Sequence, residues 1–252
     1  MSGTIIQVRG LSKNFSGLRA LSNLDFDIEE GGVTAIIGPN GAGKTTLFNL
    51  IAGDEAPSSG DVVFEGKDIS GESPDQICRL GISRTYQTVR PFMGLSVWNN
   101  VKVARLYGRR GGSSRAEIDQ DIREILDFLH LGEKADRRAE SLIPLDRKRL
   151  EIARALATYP RVILFDEVIA GLTPTETLEM METIRAINKR GITVLLIEHV
   201  MKAVMGLSHK VIVLHHGEKI AEGDPQTVTK DPNVIRAYLG EAALDPGAAL
   251  KG

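Results

Sequence analysis

Gly38-Pro39-Asn40-Gly41-Ala42-Gly43-Lys44-Thr45-Thr46 is the stretch whose reading decides the fold. It has the spacing G-x-x-x-x-G-K-[ST]. An apolar run, Val33 to Ile37, precedes it, and a segment of helical character, Leu47 to Ala52, follows. Strand, glycine-rich loop and helix in that order mark a phosphate-binding loop rather than a chance turn. The glycines let backbone N–H groups converge on phosphate oxygens, and the helix N-terminus adds the positive end of its dipole. In such a loop Lys44 reaches the β- and γ-phosphates, and Thr45 offers its hydroxyl to Mg2+. The stretch therefore predicts a nucleoside triphosphate site.

Working outward, 252 residues suffice for one domain carrying a subdomain. The net charge of −2 gives no electrostatic case for nucleic acid as the main partner. A basic cluster at Arg105, Arg109, Arg110 and Arg115 contains Gly111, Gly112, Ser113 and Ser114, and reads as a solvated loop. A single cysteine, Cys78, excludes an internal disulfide and a cysteine-rich metal site, and reads as a small hydrophobe. The first ten residues show no secretory pattern, and no run approaches the ~18 apolar residues of a membrane span. The expectation is a chain that is soluble, or peripheral to a membrane through a partner.

Residues 1 to 30 read as short strands with turns, Ile5–Val8 and Leu24–Ile28. Asp61–Phe64 follows as a strand and Gly66–Asp68 as a turn. From about 74 to 155 helical periods dominate. In Ala116–Leu131, Ile118, Ile122, Ile125, Leu126 and Leu129 share a face. Val162–Phe165 and Thr193–Ile197 are continuous apolar runs, as expected of buried parallel strands, with a helix over Thr175–Lys189 between them. Val211–Leu214 and Glu218–Ala221 close as a hairpin around Gly217. A helix near Pro232–Leu239 precedes a Gly/Ala/Pro-rich end, residues 241–252, expected to fray. The predicted fold is α/β: a nucleotide core over about 1–86 and 156–240, an N-terminal antiparallel β subdomain, and a helical insertion over about 74–155.

Val162-Ile163-Leu164-Phe165-Asp166-Glu167 delivers two carboxylates at the end of a buried strand. Asp166 there can hold Mg2+ through water, and Glu167 can orient or deprotonate an attacking water. Glu198-His199 ends the next strand, where His199 can hydrogen-bond a γ-phosphate or that water. Gln87, in Arg84-Thr85-Tyr86-Gln87, lies between core and insertion, placed to reach both Mg2+ and the water.

With these residues the chain resembles the ATP-binding subunits of ABC transporters over about Ile5 to Leu239. The resemblance covers the phosphate loop, Gln87, Asp166-Glu167, His199 and the turn Ala170-Gly171-Leu172-Thr173-Pro174, which is similar to the family's D-loop. It implies ATP with Mg2+, and an aromatic stacked on adenine. Phe15 matches that place, with a core aromatic as the other reading. Leu47–Gly53, Arg84–Gln87, Gly191–Lys202 and Asp231–Leu239 look like the branched-chain amino-acid uptake ATPases, particularly the longer of the two. That resemblance implies permease subunits as partners, a periplasmic binding protein acting indirectly, and a place on the cytoplasmic face of the inner or plasma membrane, peripheral through the permease subunits.

One element departs from the family. Its ATPases act as head-to-tail dimers, each ATP held between one phosphate loop and the other subunit's signature, Leu-Ser-Gly-Gly-Gln. Counting back from Arg147–Arg154, the equivalent residues here are Leu142, Ile143, Pro144, Leu145 and Asp146. Ile143 has no hydroxyl for a γ-phosphate, Pro144 has no N–H, Leu145 carries a side chain where glycine permits close approach, and Asp146 would add negative charge. Locally, Asp146 reads as the N-cap of the following helix, and Pro144 as a helix-entry residue. Residues needed in cis remain while the element donated in trans is altered. The expectation is a heterodimer with a second ABC ATPase whose signature is intact.

An import ATPase is the function this implies, with the membrane subunits docking near Tyr86, Arg90, Phe92 and Met93. Two other readings stay open. One is a lipid or lipopolysaccharide exporter ATPase. The other is a non-transport ABC ATPase acting on ribosomes or DNA, for which the paired cassettes, coiled coils and zinc-binding cysteines are missing.

Overall fold

A computed structural model describes residues 3–87, 90–110 and 113–239. In chain order the strands and helices are β1 (Thr4–Phe15), β2 (Leu18–Glu29), β3 (Val33–Ile37), α1 (Lys44–Ala52), β4 (Ser59–Phe64), β5 (Lys67–Asp68), α2 (Pro74–Leu80) and β6 (Ile82–Arg84). Then come α3 (Val97–Tyr107), α4 (Arg115–Phe128), α5 (Pro144–Ala157), β7 (Val162–Asp166), α6 (Pro174–Lys189) and β8 (Thr193–Ile197). The chain continues through α7 (Met201–Leu207), β9 (Lys210–His215), β10 (Glu218–Gly223), α8 (Pro225–Val228) and α9 (Pro232–Leu239). These elements group into two units, 1–71 with 195–252, and 72–194, the boundary falling within β8.

In the first unit an antiparallel sheet has the order β2-β1-β4-β5. Beside it in sequence, β3 pairs parallel with β9, and β9 antiparallel with β10. All five residues of β3 are buried, as a strand covered on both faces requires. Two hairpins turn where consecutive residues have positive φ: Glu65 and Gly66 (50° and 78°), and His216 and Gly217 (49° and 80°). Positive φ at both central positions matches the twist of the flanking strands. The hairpin expected around Gly217 is thus present, with Glu218 opposite His215. The turn expected over Gly66–Asp68 is shorter, because Lys67 and Asp68 already pair with Phe64 and Val63. β1 runs past the predicted Ile5–Val8 as far as Phe15, since pairing with β2 and β4 overrides the weak strand propensity of Gly10 and Asn14.

In the second unit β6 pairs parallel with β7, and helices α3, α4 and α5 pack on one another. All of β7 is buried. α4 begins with a capping box, Ser114 accepting from Glu117 N–H while the Glu117 carboxylate accepts from Ser114 N–H, and buries Ile118, Ile122 and Leu126. The unit continues past residue 155 to take in β7 and α6. The predicted frayed end, 241–252, lies outside the described residues.

The basic cluster is not uniformly a solvated loop. Arg109, Arg110 and Arg115 are exposed, but Arg105 is buried on α3. Its Nε donates to Asp121 Oδ2 (2.7 Å), Nη1 to the Arg110 carbonyl (2.6 Å) and Nη2 to Ser113 Oγ (2.6 Å). A guanidinium with this many fixed acceptors tolerates burial; periodicity alone did not reveal them. Burial pushes the Asp121 carboxyl up, but hydrogen bonds from Tyr159 and Arg105 outweigh it, and the carboxyl titrates below its ordinary value. The pair thus stabilises the fold fully above the unfolded-state value of about 3.9, and the contribution is lost as pH falls through the lower folded value. Arg105→Met is expected to cost about 2–3 kcal/mol near pH 7. Urea unfolding from pH 7 down to pH 3.5 should show the gap between wild type and variant narrowing below about pH 4. A gap independent of pH would contradict this account.

Candidate nucleotide site

In the first unit the phosphate loop leaves β3 at Gly38, whose φ is 149°. A Cβ there would lie 2.1 Å from the Leu214 carbonyl oxygen, so only glycine fits beside β9. Gly43, with φ 99°, is equally constrained: its Cβ would meet Leu21 at 2.5 Å and the Ala20 oxygen at 2.8 Å. Pro39, Asn40 and Gly41 form the rim, and the buried Ala42 ties the loop down, its carbonyl accepting from Gly217 N–H at 3.1 Å. Gly43 is the N-cap of α1 with no side-chain capping bond, and the first turn carries no acidic residue. The leading N–H groups of α1, including those of Thr45 and Thr46, are therefore presented to an anion rather than to a cap. Leu47, Phe48, Leu50 and Ile51 bury the opposite face and hold the helix on the sheet. Lys44 Nζ donates to the carbonyls of Gly38 (2.7 Å) and Pro39 (2.9 Å), so its ammonium lies over the loop's own rim. Thr45 is exposed.

Phe15 ends β1 and is 39% exposed, which excludes the core reading. The Lys13 ammonium lies 4.8 Å from its ring centroid and is held by Glu55 Oε2 (2.9 Å) and the Ala56 carbonyl (2.7 Å). One ring face is thus occupied by a fixed cation. His199 follows β8 and is exposed, next to the buried Glu198.

In the second unit β7 delivers Asp166 buried at its C-terminal end. Arg84 Nη2 donates to Asp166 Oδ2 at 2.8 Å, and the Asp166 N–H donates to Thr85 Oγ1 at 3.4 Å. Glu167 turns into the left-handed region, φ 51°. That costs strain in a non-glycine residue. The turn sends the two carboxylates to different donors: Gln87 Nε2 donates to Glu167 Oε2 at 2.7 Å. Lys148 Nζ secures the backbone by donating to the carbonyls of Glu167 (3.4 Å) and Val168 (2.9 Å). Gln87 and Glu167, both predicted site residues, are thus brought together. Arg84, the partner of Asp166, carries no role in the sequence reading, although it stands in the same run, Arg84–Gln87. After Glu167, Ala170, Gly171 and Leu172 make a turn, and Thr173 caps α6 with Glu176 as its capping-box partner.

The stretch at the signature position is corrected in one respect. Pro144 is the first residue of α5, but the N-cap is Ile143, not Asp146. Asp146 lies inside the first turn and is buried. Lys134 Nζ donates to its Oδ2 at 2.5 Å, and Arg149 Nη1 lies 3.5 Å from Oδ1. Its charge is neutralised within the protein instead of being offered to a phosphate. Leu142 and Leu145 are buried as well, leaving Ile143, 57% exposed, at the helix tip. Chain-order spacing cannot distinguish a cap from a buried acid three residues further on.

Tyr86, Arg90, Phe92 and Met93 all belong to this unit. The guanidinium carbons of Arg84 and Arg90 lie 4.9 and 5.3 Å from the centroid of the Tyr86 ring. Phe92 and Met93 are 46% and 41% exposed, and Arg154 lies over the Phe92 ring at 5.0 Å.

The sequence profile of the ABC transporter family matches residues 21–170, more than half of the chain. The chain belongs to the ABC transporter family. A second profile, that of the branched-chain amino acid ATP-binding cassette transporter, matches residues 218–243. The high-affinity branched-chain amino acid transport ATP-binding protein LivG of Salmonella typhimurium is 38% identical, over 96% of this chain and 100% of that protein. The solved ADP conformation of an ATP-binding cassette of an ABC transporter superposes with a TM-score of 0.87 at 33% identity, covering 95% of this chain and all of that one. A dimeric cassette bound to ADP and Pi superposes at 0.79, with 25% identity over 88% and 99% of the two chains. The fold is thus that of an ABC cassette, a P-loop α/β core with an antiparallel β subdomain and a helical part. As an ABC cassette the chain binds ATP and is an ATPase, the nucleotide-binding subunit of a transporter complex with permease subunits, and cassettes of this family dimerise. Among the described residues, no helix is long and apolar enough to cross a membrane.

Proposed function

We propose that this ABC ATPase energises uptake of branched-chain amino acids or a related small polar solute, from the cytoplasmic face of the inner membrane. Its similarity to LivG along 96% of the chain carries this reading, supported by the match of residues 218–243 to the branched-chain profile. In the proposed assembly, permease subunits dock on the helical insertion (about 74–155) around Tyr86, Arg90, Phe92 and Met93. A periplasmic binding protein supplies the solute to them.

Within the site, Phe15 offers adenine the ring face that Lys13 leaves open. Lys44 leaves the Gly38 and Pro39 carbonyls for the β- and γ-phosphates. Thr45, Asp166 and Gln87 are the residues that would hold Mg2+. Their hydroxyl, carboxylate and amide oxygens are hard donors suited to that ion, which takes few protein ligands and keeps waters. When bound, the ion neutralises charge on the phosphate oxygens. Glu167 accepts the proton of the water whose oxygen attacks the γ-phosphorus while the bond to ADP breaks, and His199 hydrogen-bonds the transferred phosphoryl group. The D-loop, Ala170 to Thr173, contacts the second cassette.

That second cassette is proposed to be a different chain with an intact signature. Ile143 presents a hydrocarbon tip where the family signature presents a serine hydroxyl, so the site this chain completes in trans is the slow one. Uptake of radiolabelled leucine into vesicles carrying the assembled transporter tests the function. Uptake should require ATP and the binding protein, and Phe92→Asp should abolish uptake while ATP binding persists. Undiminished uptake by Phe92→Asp would remove the docking assignment, and no ATP-driven leucine uptake by the wild type would remove the substrate class.

A further inference from the structure

Arg84 occupies a position that none of the roles above assigns. Its guanidinium and Asp166 form a buried ion pair, 6% and 3% exposed at the side chains, with Nη2 to Oδ2 at 2.8 Å. Asp166 caps an apolar strand, and a carboxylate in that place is costly unless a cation or strong donor meets it. Arg84 is held to the task by its backbone, because β6 runs parallel to β7 with Arg84 opposite Leu164, two residues before Asp166. It also has a second perch, the Tyr86 ring, 4.9 Å from its guanidinium carbon. The same short segment carries Gln87, which holds Glu167.

We propose that Arg84 is a positioning residue that serves as the resident counter-ion of Asp166 and competes with Mg2+ for its carboxylate. This rests on the reading of Asp166 as a residue that holds the ion. A guanidinium on Oδ2 and a divalent cation held by the same carboxylate would each bind less tightly while the other is there, a reciprocal coupling between two ligands of one group. In the nucleotide-free chain Arg84 keeps Asp166 ordered and neutralised. On loading it yields the carboxylate and keeps its place over the Tyr86 ring, which Arg90 also approaches. Charge at the metal position is thereby linked to the segment bearing the docking residues.

The test uses the full chain and a fluorescent ATP analogue, with its binding followed at increasing free Mg2+. Arg84→Gln should lower the half-saturating Mg2+ by about fivefold or more. It should also enlarge the rise in melting temperature that Mg2+ adds to ATP over ATP with EDTA. A merely structural arginine would lower the melting temperature without moving the Mg2+ midpoint downward. A midpoint unchanged or raised in the variant overturns the proposal. If Arg84→Gln fails to fold, Arg84→Lys retains a cation but loses the planar fork. It should shift the midpoint in the same direction by less, and no shift overturns the proposal equally. Asp166→Asn separates the two layers. If it leaves the Mg2+ midpoint in place, Asp166 does not hold the ion and the site assignment itself falls. If it moves the midpoint while Arg84→Gln does not, the competition alone fails.

Discussion

Replacing Glu167 by glutamine in this chain is expected to lower ATP turnover of the assembled transporter by about 10²–10⁴-fold. The amide keeps the shape and the contact with Gln87 Nε2 through its oxygen, 2.7 Å in the native pair. It cannot accept a proton. Nucleotide binding therefore survives while the attacking water loses its base. The companion substitution in the second cassette is expected to cost far less. Its site is completed by Leu142 to Asp146 of this chain, where a side-chain hydroxyl and a proline N–H are missing and an exposed isoleucine stands instead. Loss of a single preorganised donor from such a site costs about 10²–10³ in rate, so that site contributes little turnover to lose. Phosphate release by the two single variants, measured side by side, decides the matter. Equal losses would mean that both sites hydrolyse ATP, and the asymmetric heterodimer would be wrong.

A second large effect is expected at Lys134. Asp146 is 2% exposed, and its Oδ2 is met by Lys134 while Oδ1 has no hydrogen bond, only Arg149 at 3.5 Å. Lys134→Met removes the short contact and leaves a buried carboxylate with one distant counter-charge. The expected loss is about 2–3 kcal/mol of unfolding free energy. For a chain of this size it should appear as a fall in Tm of about 4–12 °C. The double variant Lys134→Met/Asp146→Leu should recover most of it, because replacing both members of a buried pair by apolar groups is often neutral. Calorimetry of the three proteins gives the answer. A single variant as stable as wild type would show that Arg149 alone carries Asp146.

Arg149 also bonds Glu179 on α6 at 2.8 Å, so the first turn of α5 is tied to α6 through one chain of charges. This explains how the altered signature can persist as an ordered helix start. The position is built around Lys134, Asp146 and Arg149 within the subunit, and its order does not depend on a nucleotide.

The sequence by itself determined the elements whose causes are local. The phosphate loop follows from glycines, which take positive φ without strain and leave room for a close approach beside a helix start. The buried strands β3, β7 and β8 are legible as apolar runs, α4 and α6 as helical patterns, and the hairpin from Gly217. The choice of Lys44, Thr45, Gln87, Asp166, Glu167 and His199 as candidate site residues came from the same kind of reading, since spacing along a strand and the loop after it places a side chain without knowledge of distant neighbours. Tertiary structure alone decided which charges meet. Arg105 and Arg109 look alike in sequence, yet only the first finds Asp121, 16 residues on, and is buried. Asp146 could not be told from a cap until Lys134 was seen beside it. Arg84 and Asp166 lie 82 residues apart and are joined only because β6 pairs with β7. Ion pairs form between whatever side chains the fold brings within a few ångströms, and that distance is set by strand register and helix packing, neither of which is written in the neighbouring residues.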